Sequence, residues 1–216
     1  MIALIPARAG SKRIPGKNTK LLAGHPLIAY TIAAAQQSGV FSRVYVCSDD
    51  EDVWHFGSIE SSLWSIHRED APDDQPDIVW VRHALDGMTP QPMSFAILRP
   101  TSPFRTAATI RRAYQQFTLP DQTADTLRAV ELETQHPGKM WTQPTAFGAI
   151  HPLINGSDNG TPFHSCPTQI LPPYYVQNGS LEMTWTSTVE TYGRITGRKI
   201  APFFTQGYEG FDLAAQ

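Results

Sequence analysis

MIALIPARAGSKRIPGKNTK, residues 1–20, is an apolar segment that runs directly into a glycine-bearing, cation-rich loop. Ile2, Ala3, Leu4 and Ile5 form a near-continuous apolar run, the pattern of a strand buried on both faces of a parallel sheet. The loop then carries Arg8, Lys12, Arg13, Lys17 and Lys20, and no acidic residue occurs before Asp49. Like charges held this close repel one another, so the order strand, glycine, cation predicts an anion among them. Gly10 and Gly16 permit tight turns and close backbone approach, so that main-chain N–H groups can point into a concavity. Arg8, Lys12 and Lys17 add charge-assisted hydrogen bonds suited to phosphate oxygens. Polyphosphate is the expected anion; a solvated basic loop is the commoner fate of a charge run taken alone. The loop is not GxxxxGK[ST], because Asn18 stands where Ser or Thr is needed, and it is not GxGxxG.

Outward from this loop, strands and helices alternate. Pro26 and Gly39 bracket a helix whose apolar face is Leu27, Ile28, Ile32 and Ala35. Residues 43–47 read as a second strand, followed by Ser48, Asp49 and Asp50 as an N-cap with acids in the first helical turn. Short strands are expected at 63–66 and 95–98, and helices from Pro76 to about Leu85 and from Thr106 to about Phe117. Strands are also expected at 125–131 and 198–204. This alternation predicts an α/β fold with a doubly wound, mostly parallel, Rossmann-like sheet. Ligands in such sheets sit beyond the carboxyl ends of the strands, where the loops at 7–18, 48–50 and 99–105 would converge. Residues 132–185 break the rhythm, being rich in Pro, Gly, Asn and Thr, and are expected to form an excursion from a single domain spanning 1–216.

Composition narrows the function. With 216 residues and a formal net charge of −3, the chain offers no global case for nucleic acid or an anionic membrane. Two cysteines, Cys47 and Cys166, with no CxxC and no His/Cys cluster, suggest neither a disulfide framework nor a zinc site. No signal peptide or apolar span of membrane length is visible, so a cytoplasmic protein is expected.

Residues 5–18, IPARAGSKRIPGKN, closely resemble the IPARGGSKRIPGKN signature of the acylneuraminate (CMP-sialic acid) cytidylyltransferases, differing only at Ala9. The resemblance continues at declining quality along the chain. RPTSPFR (99–105) is similar to the family's QPTSPLR, HPGKMW (136–141) to its HP-x-K segment, and QNGS (177–180) to its sugar-site turn. It implies a nucleotide-diphospho-sugar transferase fold in which 132–185 forms an antiparallel extension across a homodimer. The implied reaction transfers CMP from CTP to the anomeric hydroxyl of an acidic nine-carbon 2-keto-3-deoxy sugar, releasing pyrophosphate, with Mg²⁺ or Mn²⁺ as cofactor. By the same resemblance Arg8, Lys12 and Lys17 would hold the triphosphate and the backbone of Ala7, Ala9, Gly10 and Ser11 would line it. Asn18 and Arg68 would lie near the nucleotide. Asp212 would bind metal. Arg99, Thr101, Ser102, Lys139, Gln169, Gln177, Asn178 and Gly179 would form the sugar pocket, with Phe203 either lining it or belonging to the core. In-line attack by a sugar hydroxyl needs no covalent enzyme intermediate, so positioning and charge stabilisation suffice. Arg105 is expected either to reach substrate or to pair with an acid.

Three departures from the family pattern stand out. The second of two metal aspartates is Ala214, the glutamine before Pro-Thr-Ser-Pro is Arg99, and an arginine that would contact the sugar carboxylate is Thr168. Arg99 is accordingly expected to supply that carboxylate's partner within the same chain. Ala214 keeps open a nucleotide-binding protein that is catalytically impaired. Another sugar nucleotidyltransferase, acting on Kdo or with a different nucleotide, is the remaining alternative.

Overall fold

In chain order the main elements are β1 (Ile2–Pro6), α1 (Leu27–Ser38), β2 (Val44–Ser48), β3 (Leu63–His67), α2 (Ile78–Asp86), β4 (Ser94–Ile97), α3 (Ala107–Phe117), β5 (Thr126–Leu132), β6 (Tyr175–Trp185), α4 (Thr186–Tyr192) and β7 (Ile200–Phe204). They come from a computed structural model that describes residues 1–9, 14–53, 75–143 and 148–213, and the backbone alone of 63–67. Seven strands form one sheet in the order β7-β5-β6-β4-β1-β2-β3. β1 pairs in parallel with β2 and β4, β2 with β3, and β5 with β7. β6 runs antiparallel to β4. The α/β, mostly parallel sheet expected from the sequence is therefore present.

The unbroken apolar run of β1 is explained by its two covered faces. Ala3 and Ile5 pack on one side with Ile28, Ile32, Ile110 and Phe117 of α1 and α3. Ile2 and Leu4 pack on the other with Trp80, Val81 and Leu85 of α2 and Val189 of α4. Each such large side chain contributes about 1.5–3 kcal/mol on burial. α1 ends at Gly39, whose φ of 65° is the left-handed conformation that glycine adopts without cost. α3 begins with a reciprocal capping box between Thr106 and Thr109.

Local boundaries differ from the sequence reading for identifiable reasons. Pro26 is the cap of α1 rather than its first residue, because Leu21 and Leu22 pair with His25 and Pro26 in a short antiparallel ladder. Ser48 ends β2 instead of capping a helix, and Asp50 accepts from the Asp52 amide just before the helical residues 51–53. α2 starts two residues after Pro76. Residues 178–185, read as part of the excursion, belong to the central sheet: Asn178-Gly179 resembles a turn, yet it lies within the continuous strand β6.

The chain divides into two compact units, one of Met1–Val130 with Asn178–Gln216 and one of Glu131–Gln177. The second holds two-residue ladders, Trp141–Thr142 with His151–Pro152 and Ser157–Asp158 with Thr161–Pro162, and single 3₁₀ turns. His136 is its hub. The His136 Nδ1 accepts from the Gly138 amide at 3.0 Å, so its Nε2 carries the proton and donates to the Pro172 carbonyl at 2.9 Å. Tyr174 stands edge-on to the ring at 4.9 Å.

Candidate active site

The loops after β1, β2 and β4 leave the carboxyl ends of three adjacent parallel strands. The first two are tied together by short polar contacts. Ala7 donates its amide to the Cys47 carbonyl at 2.9 Å, and Ser48 Oγ donates to the Ala7 carbonyl at 2.6 Å. Asp49 Oδ1 accepts from the Ala9 amide at 2.9 Å, which sets a carboxylate against the start of the basic loop. Ala9 is not among the described non-glycine residues with positive φ, so alanine is accommodated there. Gly16 has φ 61°, and its carbonyl accepts from the amides of Thr19 and Lys20. Asn18, only 7% exposed, closes the loop by donating from Nδ2 to the Arg8 carbonyl at 3.1 Å, while its own carbonyl receives the Ile28 amide at the head of α1. Arg8, Lys17 and Ala7 thus sit on a backbone held at both ends. Gly10, Ser11, Lys12 and Arg68 lie outside the described residues.

A second cluster forms where the loop after β4 meets β6 and the C-terminal segment. A Cβ placed on Gly179 would lie 2.7 Å from Asp212 Oδ2 and 3.4 Å from Arg99 Cδ, so these three residues meet at a spot only glycine leaves open. Leu213 donates its amide to the Thr101 carbonyl at 2.9 Å, anchoring the residue after Asp212 to the same turn. Asn178 donates from Nδ2 to Thr205 Oγ1 and accepts the Ser180 amide, which fixes the strand on either side of Gly179. Thr101 and Ser102 are buried within the turn. Glu209 accepts from Thr109 Oγ1 at 2.7 Å and from Arg112 at 2.7 and 3.1 Å, docking the C-terminal segment on α3. Burial pushes the Glu209 carboxyl up, but the donors from Arg112, Thr109 and the Gln206 amide outweigh it and hold the group below the usual glutamate range.

Several of the residues expected at the site have partners within the chain. Arg99 has carboxylate partners within the chain: its Nη2 donates to Asp77 Oδ2 at 2.6 Å and lies 3.6 Å from Glu182 Oε1. Burial lowers its pKa, and the two carboxylates more than reverse that, leaving it above its ordinary value. Arg128 pairs with Glu182 Oε2 at 2.9 Å and completes a four-member chain of alternating charge. Phe203 is 2% exposed and packs in the core under the Arg112 guanidinium at 4.8 Å, the core placement that is one of its two expected readings. In the Glu131–Gln177 unit, Lys139 Nζ donates to the Cys166 carbonyl at 2.6 Å, which commits its charge to a local loop. Gln169 and Gln177 are exposed on that unit. Among the described residues no group of three or more His, Cys, Asp or Glu side chains gathers to hold a metal, so Asp212 stands as a single carboxylate candidate. Sequence reasoning read Asp49 only as an acid at a helix start and missed Asp77, Glu182 and Glu209 as organising residues, since Ala9, Arg99, Arg128 and Arg112 are distant from them in the chain.

A family profile described as Cytidylyltransferase matches residues 2–58, the span that contains the basic loop and its Asp49 tie. Over 120 residues the chain is 41% identical to the CMP-N,N'-diacetyllegionaminic acid synthase of Legionella pneumophila, covering 53% of this chain and 52% of that one. Over 219 residues, all of this chain and 48% of the other, it is 30% identical to the N-acylneuraminate cytidylyltransferase of Streptococcus agalactiae. The similarity to N-acylneuraminate cytidylyltransferases thus runs the whole length of the chain. The chain spans about half the length of these two relatives. A pseudaminic acid cytidylyltransferase of Campylobacter jejuni is 52% identical over 52 residues, 24% of this chain and 22% of that one.

Solved structures support the fold. A CMP:2-keto-3-deoxy-manno-octonic acid synthetase complexed with CTP superimposes with a TM-score of 0.69 at 14% identity, covering 95% of this chain and 90% of the other. A 4-diphosphocytidyl-2C-methyl-D-erythritol synthase from Anaerococcus prevotii gives 0.64 at 8% identity, covering 100% and 93%.

Proposed function

We propose that this chain transfers CMP from CTP to the anomeric hydroxyl of an acidic nine-carbon 2-keto-3-deoxy sugar of the sialic, legionaminic or pseudaminic type. The observation that carries the reading is the basic loop matched by the family profile, held at the carboxyl ends of β1 and β2 by Ala7, Ser48, Asp49 and Asn18. The sugar hydroxyl oxygen bonds to the α-phosphorus, the bond to the bridging β-phosphate oxygen breaks, pyrophosphate leaves, and the hydroxyl proton is released. Arg8 and Lys17, with Lys12, bind the triphosphate and stabilise charge growing on the leaving group. Asn18 and Asp49 keep the loop's backbone in place for that contact. Thr101, Ser102, Asn178 and Gly179 shape the sugar side.

Asp212 fits one role in holding Mg²⁺ or Mn²⁺, because Mg²⁺ retains waters and takes substrate phosphates with only one or two protein carboxylates. The ion, when bound, neutralises phosphate charge. Ala214 offers no ligand. A homodimer is supported by the apolar side chains that the Glu131–Gln177 unit leaves exposed. Among the described residues no helix is long and apolar enough to cross a membrane. We place the reaction in the cytoplasm, where nucleoside triphosphates are made.

The test is pyrophosphate release from CTP, GTP or UTP with Mg²⁺ and each of sialic, legionaminic, pseudaminic and Kdo sugars. Turnover with CTP and one nine-carbon acid is expected. Asp212→Asn is expected to lower it on the order of 10²-fold, the scale of deleting one preorganised charge-stabilising group. A nucleotide other than CTP, or Kdo as the preferred sugar, overturns the assignment. Ala214 favours one second reading, a nucleotide-binding protein without turnover; calorimetry showing CTP binding with no pyrophosphate release would establish it.

A further inference from the structure

We propose that Arg105 is a positioning residue: its guanidinium clamps the two backbones that meet Asp212 and so sets where that carboxylate lies. The inference rests on the reading of Asp212 given above. Arg105 is 2% exposed and heads the fully buried side chains by size. Its Nη1 donates to the Ser180 carbonyl and, at 3.3 Å, to the Arg99 carbonyl. Its Nη2 donates to Thr31 Oγ1 at 2.8 Å and to the same Arg99 carbonyl at 3.3 Å. These acceptors are neutral, and among the described residues no carboxylate pairs with it, although the sequence predicts substrate contact or an acidic partner.

A buried cation without an anion is a poor way to stabilise a fold, because desolvation is not repaid by a countercharge. Burial pushes its pKa down to about 9, which still leaves it protonated at neutral pH. An apolar side chain of similar length would serve packing better, so packing does not account for arginine at this position. Geometry does. Arg99 begins the turn after β4, and Ser180 follows Gly179 on β6. Gly179 and Arg99 are the residues against which Asp212 sits, with a Gly179 Cβ position only 2.7 Å from Oδ2. The Leu213 amide is fastened to Thr101 of the same turn. One planar fork therefore holds both walls, and its Nη2 also reaches Thr31 on α1, the helix whose Ile28 amide donates to the Asn18 carbonyl. Lysine cannot reproduce this, since one nitrogen cannot reach three acceptors in a plane.

The test uses the full chain with Arg105→Lys, Arg105→Met and Thr31→Val. Mn²⁺ binding in the presence of CTP is followed by electron paramagnetic resonance, CTP binding in EDTA by calorimetry, and kcat and KM by pyrophosphate release. Arg105→Lys is expected to weaken Mn²⁺ binding and lower kcat by roughly tenfold or more, the scale seen when groups orienting a metal ligand are removed. CTP affinity in EDTA should change less than about twofold, separating positioning from binding. Thr31→Val, which removes one of the contacts, should give a smaller loss in the same direction. Should Arg105→Met fail to fold, the lysine and Thr31 variants decide alone. The clamp is overturned if Arg105→Lys keeps kcat and Mn²⁺ affinity at the wild-type level, or if CTP affinity in EDTA falls as far as kcat. Wild-type protein that binds no Mn²⁺ with CTP removes the Asp212 reading itself, and the clamp with it.

Discussion

The two compact units hold themselves together by different means. In the larger one, residues next to each other on β1 point into separate apolar layers, and the loops at its strand ends are closed by buried polar contacts. In Glu131–Gln177 the ladders are two residues long, the buried residues are few, and Leu132, Trp141, Ile150, Leu153, Ile170, Tyr175 and Val176 are all exposed. His136 supplies much of what order its side chains have, through Gly138 and Pro172. A region this short of its own core needs external apolar contact to be stable. The larger unit thus encloses its own apolar side chains, whereas the smaller one leaves many of its own exposed, the surface on which the proposed homodimer rests.

The strongest way to break this contrast is to charge the exposed face. Leu153→Asp combined with Ile170→Asp is expected to raise the dimer dissociation constant by a factor on the order of 10² or more, since truncating buried interface anchors commonly costs at least about 2 kcal/mol. Analytical ultracentrifugation measures it. The far-ultraviolet circular dichroism of the chain should stay close to wild type, because the main sheet does not depend on those residues. A double variant that sediments as the wild type does, whether as monomer or dimer, defeats the dimer reading of this surface.

The same contrast governs what is legible in the sequence. β1 can be read directly, because an apolar run leading into a glycine-cation loop fits a buried strand and little else. The ends of α1 and α3 are legible too, since Gly39 and Thr106 mark them with their own backbone chemistry. The strand β6 is not, since Asn178-Gly179 carries a turn signature yet lies within a continuous strand of the sheet. The ion pairs of Arg99 are hidden for a related reason. Its partners Asp77 and Glu182 come from a helix cap and a distant strand, and nothing local to any of the three announces the network. The candidate site is thus visible where chemistry is carried by one contiguous loop, and hidden where it is assembled across the sheet.

Within the larger unit, Glu209→Gln sharpens the claim that the C-terminal segment is docked rather than draped. Loss of the carboxylate weakens bonds to Arg112, Thr109 and the Gln206 amide. The expected cost is about 1–2 kcal/mol, in the range for hydrogen bonds to a charged group. The pH dependence has a definite sign. Because the folded-state pKa is depressed, the contribution is complete above the ordinary glutamate value and fades as pH falls through the lower folded one. Denaturant midpoints of wild type and variant should therefore differ at neutral pH and converge at strongly acidic pH. A gap that persists unchanged into acid would mean the side chain acts through packing instead.

The smallest effect tests whether the helix cap and the docked segment are one device. Thr106→Ala should cost about 1 kcal/mol, as loss of an N-cap hydroxyl does. Here the hydroxyl has a second duty. Thr109 Oγ1 donates its proton to Glu209 at 2.7 Å, so the 3.0 Å contact between the two threonine hydroxyls must run from Thr106 to Thr109. Thr106 in turn accepts the Thr109 amide at 3.2 Å, and the direction of the whole chain is set by the carboxylate at its end. Bonds aligned this way polarise one another. A double-mutant cycle of Thr106→Ala and Glu209→Gln should accordingly show a coupling of about 0.5 kcal/mol or more, whereas strictly additive costs would mean the cap and the segment that carries Asp212 are stabilised independently.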